Sequence, residues 1–147
     1  MKGGFENVEI GRSYTTQGRT ITEADLVNFA GVSGDFNHLH TDKEAMQNSP
    51  LGERVAHGTL VFSVMTGLLW QSRSPEEREN LLAFYGVDKL RFIEPTYIGD
   101  TIHARTEVID KEPRDHPVAS GIVRQQVEAI NQNDETVQAA EFLLLVR

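Results

Sequence analysis

The sequence contains no cysteine among its 147 residues. Disulfides, thiolate nucleophiles and cysteine-ligated zinc or iron–sulfur centres are therefore excluded. Basic residues are also scarce, since 14 Lys and Arg stand against 22 Asp and Glu and leave a formal net charge of -8. So acidic a chain argues against sequence-independent binding to nucleic acid or to anionic membranes, because both need a basic surface. An anionic ligand would need a local cluster of Lys or Arg.

Long apolar runs are missing as well. The most apolar stretch, Gly58–Trp70, is shorter than the roughly 20 residues that cross a bilayer. The N-terminal segment MKGGFENVEIG lacks the apolar core of a signal peptide. Together with the lack of cysteine, this predicts a cytoplasmic protein. The length predicts one domain, residues 1–147, large enough to bury roughly 70% of its unfolded surface.

The apolar pattern predicts an α+β fold. Gly58–Trp70 carries apolar residues on nearly every side of a helix, so a helix buried all round is expected. Period-two alternation predicts strands over residues 82–93, with a break near Gly86, and over 101–111, 118–131 and 136–146. Short turns imply antiparallel pairing, and the sum is an antiparallel sheet wrapped around one buried helix. The last strand is apolar on both faces, which predicts at least a dimer.

An amphipathic helix is predicted ahead of this region. Thr22, with Asp25 three positions later, has the pattern of a helix start, and Gly31 is expected to end the helix. Its core face is assigned to Leu26, Val27, Phe29 and Ala30. Loops are expected over residues 34–40 and 71–80, the second with one helical turn at most.

The chemically active side chains are concentrated between Gly34 and His40. Asp35, Asn37, His38 and His40 fall within six positions of one another. Asp and His are the usual proton-transfer groups, so Asp35 and His40 could hold a water between them and divide the roles of acid and base. The alternative is that Asp35 caps a turn and His40 is a surface histidine.

Two other interpretations of this segment stay open. His38, His40 and His57 with Asp35 could bind a metal, but no further ligand stands at a recognisable spacing, so no metal and no cofactor are expected. Ser33 could act as a nucleophile, but it lacks the Gly-x-Ser-x-Gly pattern of a nucleophile elbow.

Gly58 opens the apolar helix. A helix start has free backbone N–H groups and the positive end of the helix dipole, which can stabilise a carbonyl oxygen as it becomes an enolate. The alternative is that Gly58 only permits close packing. His57, immediately before it, is expected to be a hydrogen-bonded structural histidine rather than a catalyst.

These motifs resemble those of the MaoC-like dehydratases, the family of (R)-specific enoyl-CoA hydratases with the hot-dog fold. The family pattern has an aromatic residue, small residues, Gly-Asp-x-Asn-Pro-aliphatic-His and a later Ala. It is matched here by Phe29, Ser33-Gly34-Asp35-Phe36-Asn37-His38-Leu39-His40 and Ala45. The likeness covers essentially the whole chain, continuing through VAHGTL at 55–60, Arg91-Phe92, Pro95 and Gly99-Asp100-Thr101. His38 departs from the family's usual proline, which is expected to affect substrate preference and pH dependence rather than reaction class.

The resemblance implies a curved antiparallel sheet around a long buried helix, and a homodimer or larger homo-oligomer. It implies that Asp35 and His40 activate the water that adds to a trans-2-enoyl-CoA, giving a (R)-3-hydroxyacyl-CoA. Asn37 would orient this pair, and the N–H of Gly58 would bind the thioester oxygen. The candidates for contacting the CoA phosphates are Lys89, Arg91 and Arg105. Two alternatives stay open, an acyl-CoA thioesterase and a non-catalytic acyl-thioester-binding subunit.

Overall fold

One antiparallel sheet and one central helix organise residues 3–147, which the computed structural model describes. Met1 and Lys2, part of the segment in which no signal peptide is predicted, lie outside the described residues. The strands are β1 (Ser13–Thr15), β2 (Arg19–Thr20), β3 (Leu81–Phe92), β4 (Thr101–Pro113), β5 (Gly121–Ile130) and β6 (Thr136–Val146). The helices are α1 (Glu23–Ser33), α2 (His38–Thr41), α3 (Lys43–Gln47), α4 (Gly58–Gln71) and α5 (Pro75–Asn80), preceded by a short 3-10 helix at Phe5–Asn7.

The sheet has the strand order β1-β4-β5-β6-β3, and β2 also pairs with β4. Each pairing is antiparallel, as predicted for the consecutive strands β4, β5 and β6, whereas β3 pairs with the distant strand β6. β3 lies at one edge and pairs, within the described residues, with β6 alone. Its pairing shifts register between Phe84 and Gly86, at the predicted break. A sheet wrapped around a central helix is the hot-dog arrangement that the resemblance implies.

Helix α4 supplies much of the core. The side chains of Val61, Met65 and Leu68 are almost fully buried against the sheet. The prediction of a helix buried all round is wrong, however, because Thr59 and Ser63 are exposed and Trp70 is 47% exposed. One sheet covers only one side of the helix, so the opposite side stays open in a single chain. Within residues 3–147, no helix has both the length and the apolar character needed to cross a bilayer.

The faces of β4, β5 and β6 follow the predicted alternation, whereas the side chains of β3 are half-buried or exposed without alternating. On β4 the predicted apolar side is buried: Ile102, Ala104, Thr106 and Val108. The strand limits differ slightly, since β4 continues to Pro113 and β5 begins at Gly121 rather than at residue 118. The later start of β5 has a local cause, because the ring of His116 accepts hydrogen bonds from the backbone N–H groups of residues 118 and 119.

Helix α1 starts where predicted and ends later. Thr22 and Asp25 form a reciprocal capping box. The helix passes through Gly31 and ends at Ser33, because Gly34 takes the left-handed conformation (φ 76°) that closes a helix. The predicted end at Gly31 is therefore wrong. Val27 was assigned to the core face but is 60% exposed, which is also a correction.

The connection over residues 71–80 is more structured than predicted. Pro75–Asn80 forms a full six-residue helix, capped reciprocally by Ser74 and Glu77. Arg73 and Glu77 are buried, and Glu77 forms an ion pair with Arg12 at 3.1 Å. Burial opposes ionisation of Glu77, but the backbone hydrogen bond from Ser74 and the charge of Arg12 hold its pKa below the usual value. This segment is therefore a surface helix anchored by two buried charged side chains, and not a loop.

Candidate active site

A cavity of about 540 Å³ lies where the N-terminus of α4 meets α2 and the end of β3. Asp35, His40, His57 and Gly58 all line this cavity. The structure thus gathers three of the predicted site residues, Asp35, His40 and Gly58, around one space. Phe92 closes the same cavity from the sheet.

Successive local turns place the side chains of Asp35 and His40. The backbone N–H of Asp35 donates to the hydroxyl of Ser33, and that of Asn37 donates to the Asp35 carboxylate at 3.2 Å. The side-chain oxygen of Asn37 then accepts the N–H of Leu39 at 3.0 Å and caps α2, the helix that carries His40. Asn37 therefore holds Asp35 by its main chain and supports the helix of His40 by its side chain.

His38 occupies the first position of α2, so the predicted loop over residues 34–40 already becomes helical there. Proline is favoured at this position, since the N–H it lacks has no helical partner and its φ suits a helix. This explains how one backbone accepts either the family's usual proline or the histidine found here. The His38 side chain is exposed and does not line the cavity.

The carboxylate of Asp35 and the ring of His40 face each other. Asp35 Oδ2 lies 3.8 Å from His40 Nε2, too far for a direct hydrogen bond and close enough for one water oxygen to contact both. His40 Nδ1 lies 2.7 Å from the carbonyl oxygen of Val55, which can only accept, so the proton is on Nδ1. Nε2 is therefore the ring nitrogen that faces Asp35. Half of the Asp35 side chain is exposed, whereas His40 is buried.

His57 lies directly beneath this pair. Its ring stacks on that of His40 with 3.7 Å between centroids and 26° between planes. Its Nε2 lies 3.0 Å from the backbone oxygen of Asp35, and the edge of Phe29 packs against it. The histidine is hydrogen-bonded as expected, but no pattern in the sequence indicates that it contacts both Asp35 and His40.

The surroundings of Gly58 agree both with a role as oxyanion donor and with a role in close packing. Within the described residues its backbone N–H has no acceptor, as expected for the first residue of a helix. A Cβ at this position would lie 2.9 Å from the Phe92 ring, so a larger residue would displace that ring or the start of the helix. The carbonyl oxygen of Gly58 accepts a 2.6 Å hydrogen bond from Gln138 Nε2. Sequence reasoning missed Gln138, although a polar residue on the apolar core face of β6 was a usable signal.

The three side chains that were considered as metal ligands and that line the cavity can now be compared with a metal site. Asp35, His40 and His57 each offer one ligand atom, and these atoms lie within 4.8 Å of one another. Stacked rings direct their in-plane lone pairs side by side, whereas a bound ion needs lone pairs that converge. The donor set therefore suits proton transfer better than metal binding.

The three candidate phosphate contacts differ in their surroundings. Lys89 forms an ion pair with Glu141 at 3.2 Å, and Arg105 with Glu128 at 2.9 Å. Arg91 donates to the backbone oxygen of the preceding residue and directly precedes Phe92, a cavity residue. Arg91 is thus the candidate that adjoins the site along the chain.

Comparison with known proteins connects this geometry to a family. The family model described as MaoC like domain matches residues 5–131. Protein MaoC of Klebsiella aerogenes is 46% identical over 101 residues, which are 69% of this chain and 29% of that protein. The (R)-specific enoyl-CoA hydratase of Rhodospirillum rubrum is 33% identical over 109 residues, which are 74% of this chain and 72% of that protein.

A solved structure gives the same result for the fold. The monoamine oxidase regulatory protein from Archaeoglobus fulgius is 37% identical and has a TM-score of 0.92, with 99% of this chain and 95% of that chain covered. The chain spans less than a third of the Klebsiella protein but nearly the whole of the Archaeoglobus one. The family match extends from the first turn of the structure to the end of β5. The chain therefore belongs to the MaoC-like family of dehydratases and (R)-specific hydratases.

Proposed function

We propose that the protein is a hydro-lyase that adds water reversibly to the double bond of a trans-2-enoyl-CoA and forms a (R)-3-hydroxyacyl-CoA. The observation that supports this most directly is the 3.8 Å separation of Asp35 Oδ2 and His40 Nε2 at the wall of a cavity. Two proton-transfer groups so arranged can position and activate one water. The name of the Rhodospirillum relative supports the choice of reaction.

Each group has a role in this reaction. The water held between Asp35 and His40 loses a proton to one of them as its oxygen attacks C3. The other group, which carries a proton, delivers it to C2 and recovers one from the first group, so that one water is added across the double bond. As electrons move towards the thioester, the free N–H of Gly58 stabilises the developing oxyanion at the positive end of α4. Asn37 supports the pair through its backbone N–H and its capping of α2.

The proposed enzyme is a homodimer. β3 is an edge strand of 12 residues whose outer side has no partner within the described chain. Its side chains Phe84 and Tyr85 are exposed, and Trp70 of α4 is exposed as well. A long apolar edge is a template for pairing with another strand, and a second copy of β3 would satisfy it.

The reaction is tested with purified protein and no added metal. Loss of the conjugated double bond of a trans-2-enoyl-CoA and release of free thiol are followed separately. Asp35→Asn and His40→Gln should each lower kcat by about 10²–10⁴-fold, as is typical of lost acid–base catalysis. The double variant should lose far less than the product of the single effects, since the pair acts on one water.

Asp42→Asn is the matched control for Asp35→Asn. Asp42 is exposed and caps α3, a role that asparagine fills equally well, so this variant should keep full activity. Thiol release without hydration would assign a thioesterase instead. Binding of acyl-CoA with neither reaction would indicate a non-catalytic subunit. Full hydration by Asp35→Asn would overturn the mechanism, and inhibition by a chelator would support a metal site.

A further inference from the structure

We infer that His57 is a positioning residue that fixes Asp35 and His40 relative to one another. The inference rests on the proposed function, because it concerns the pair that the reaction uses. Two independent contacts support it, a hydrogen bond to the main chain of Asp35 and a ring stack on His40. One side chain thus touches both members of the pair without lying between them.

The hydrogen bond holds the Asp35 segment to the central helix. The Asp35 side chain is half exposed and its carboxylate is held by the N–H of Asn37, two residues away. The bond from His57 Nε2 is different in kind, since it spans 22 residues and connects the turn to the N-cap of α4. Without it, the turn would be held mainly by contacts within itself.

The ring stack fixes the orientation of His40. The hydrogen bond from His40 Nδ1 to the carbonyl oxygen of Val55 restrains rotation of the ring within its own plane. The ring of His57 covers one face and restrains tilting. Together they leave the direction of Nε2 little freedom.

Neither nitrogen of His57 can exchange a proton with the substrate. Nε2 lies against a carbonyl oxygen, which can only accept, so Nε2 carries the proton. Nδ1 is buried and, within residues 3–147, has no hydrogen-bond partner. A buried polar atom without a partner is costly and invites a functional explanation. The explanation here is that the stack and the hydrogen bond dictate the orientation of the ring.

Two substitutions separate the two contacts. His57→Phe keeps an aromatic ring for the stack and loses the N–H donor. His57→Gln keeps a donor near the position of Nε2 and loses the ring. We expect His57→Phe to lower kcat by on the order of 10²-fold with little change in KM, because small misplacements of catalytic groups have effects of this size. His57→Gln should lower kcat less than His57→Phe does. The control variant His103→Gln, on β4, should leave kcat unchanged.

Several results would overturn the inference. One is that both His57 variants have the same kcat as the wild-type protein, although Asp35→Asn has lost its activity. Another is a loss of activity that only parallels a loss of folded protein, measured by thermal melting. Independently of activity, ¹⁵N NMR of the wild-type protein should show the proton of His57 on Nε2, and a proton on Nδ1 would contradict the geometry. Absence of hydration by the wild-type protein would instead reject the proposed function, and the NMR result would still decide the geometry.

Discussion

The side-chain amide of Gln138 donates a 2.6 Å hydrogen bond to the carbonyl oxygen of Gly58, 80 residues away in the sequence. This contact joins β6 to the first turn of α4, where the N–H proposed to bind the thioester oxygen is found. Since the carbonyl can only accept, the orientation of the Gln138 amide is fixed, with Nε2 towards Gly58. The position of the proposed oxyanion donor thus depends on a strand distant in sequence.

Gln138→Leu should loosen this first turn. We expect kcat to fall and the free energy of unfolding to decrease by about 0.5–1.5 kcal/mol, the usual net contribution of one hydrogen bond. Chemical denaturation and steady-state kinetics measure the two effects. Gln126→Leu, on the other face of the sheet in β5, is the control and should change neither quantity as much. Equal effects of the two substitutions would count against the role of Gln138.

Gly58→Ala should be inactive or nearly so. An added Cβ would lie 2.9 Å from two atoms of the Phe92 ring, so either the ring or the helix start must move. Phe92→Leu in the same chain should recover part of the activity by making room. Gly67→Ala on the same helix is the control, because nothing lies within 4 Å of its added Cβ. Alanine there should stabilise the helix by about 0.8–1 kcal/mol.

Val64→Asp should prevent folding rather than only lower activity. Val64 lies on the buried side of α4, and an unpaired buried charge costs several kcal/mol, comparable to the total stability of ~5–15 kcal/mol for a domain. Leu68→Asp should behave in the same way. The matched control is Val32→Asp, because Val32 is the most exposed large apolar side chain on α1. A soluble Val64→Asp protein that melts cooperatively would show that α4 is not central to the fold.

Glu77→Ala should destabilise the protein by about 1–2 kcal/mol at neutral pH, because it removes the reciprocal cap of α5 and the ion pair with the partly exposed Arg12. The pKa of Glu77 is below its ordinary value of 4.5 in the folded state. Its contribution is therefore present above the ordinary pKa and is lost as the pH falls through the folded-state pKa. Denaturation curves should converge for wild type and variant in acid. Glu76→Ala, its exposed neighbour, should show no such difference.

Tyr85→Lys should weaken self-association. A lysine on an edge strand disfavours pairing with a second strand, and Tyr85 is exposed on β3. Sedimentation velocity should show a dimer for the wild type and a shift towards monomer for the variant. Val118→Lys, an exposed apolar residue away from this edge, should remain dimeric. A stable wild-type monomer at micromolar concentration would refute the proposed dimer.

Periodicity predicted β4, β5 and β6 well because each of these strands has one face on the core. The alternation of Ile102, Ala104 and Val108 is visible in the sequence and is reproduced in their burial. Asp35 and His40 were also within reach of sequence reasoning, since local turns bring them together. The stack of His57 on His40 was not, because it is a tertiary contact between two segments whose spacing carries no signal. The burial of Arg73 and Glu77 was missed for a similar reason, since a charged segment looks like a solvated one.

The position of β6 between β5 and β3 also has a consequence for synthesis on the ribosome. β4 and β5 can form a hairpin as soon as both have emerged, but β3 emerges earlier and finds its neighbour only when β6 has been made. Until then its backbone and its exposed aromatic side chains are open to unwanted association, a known hazard of strand pairs distant in sequence. The turns that hold Asp35 and His40 are local and can form early, whereas Gly58 receives its bond from Gln138 only in the last stage.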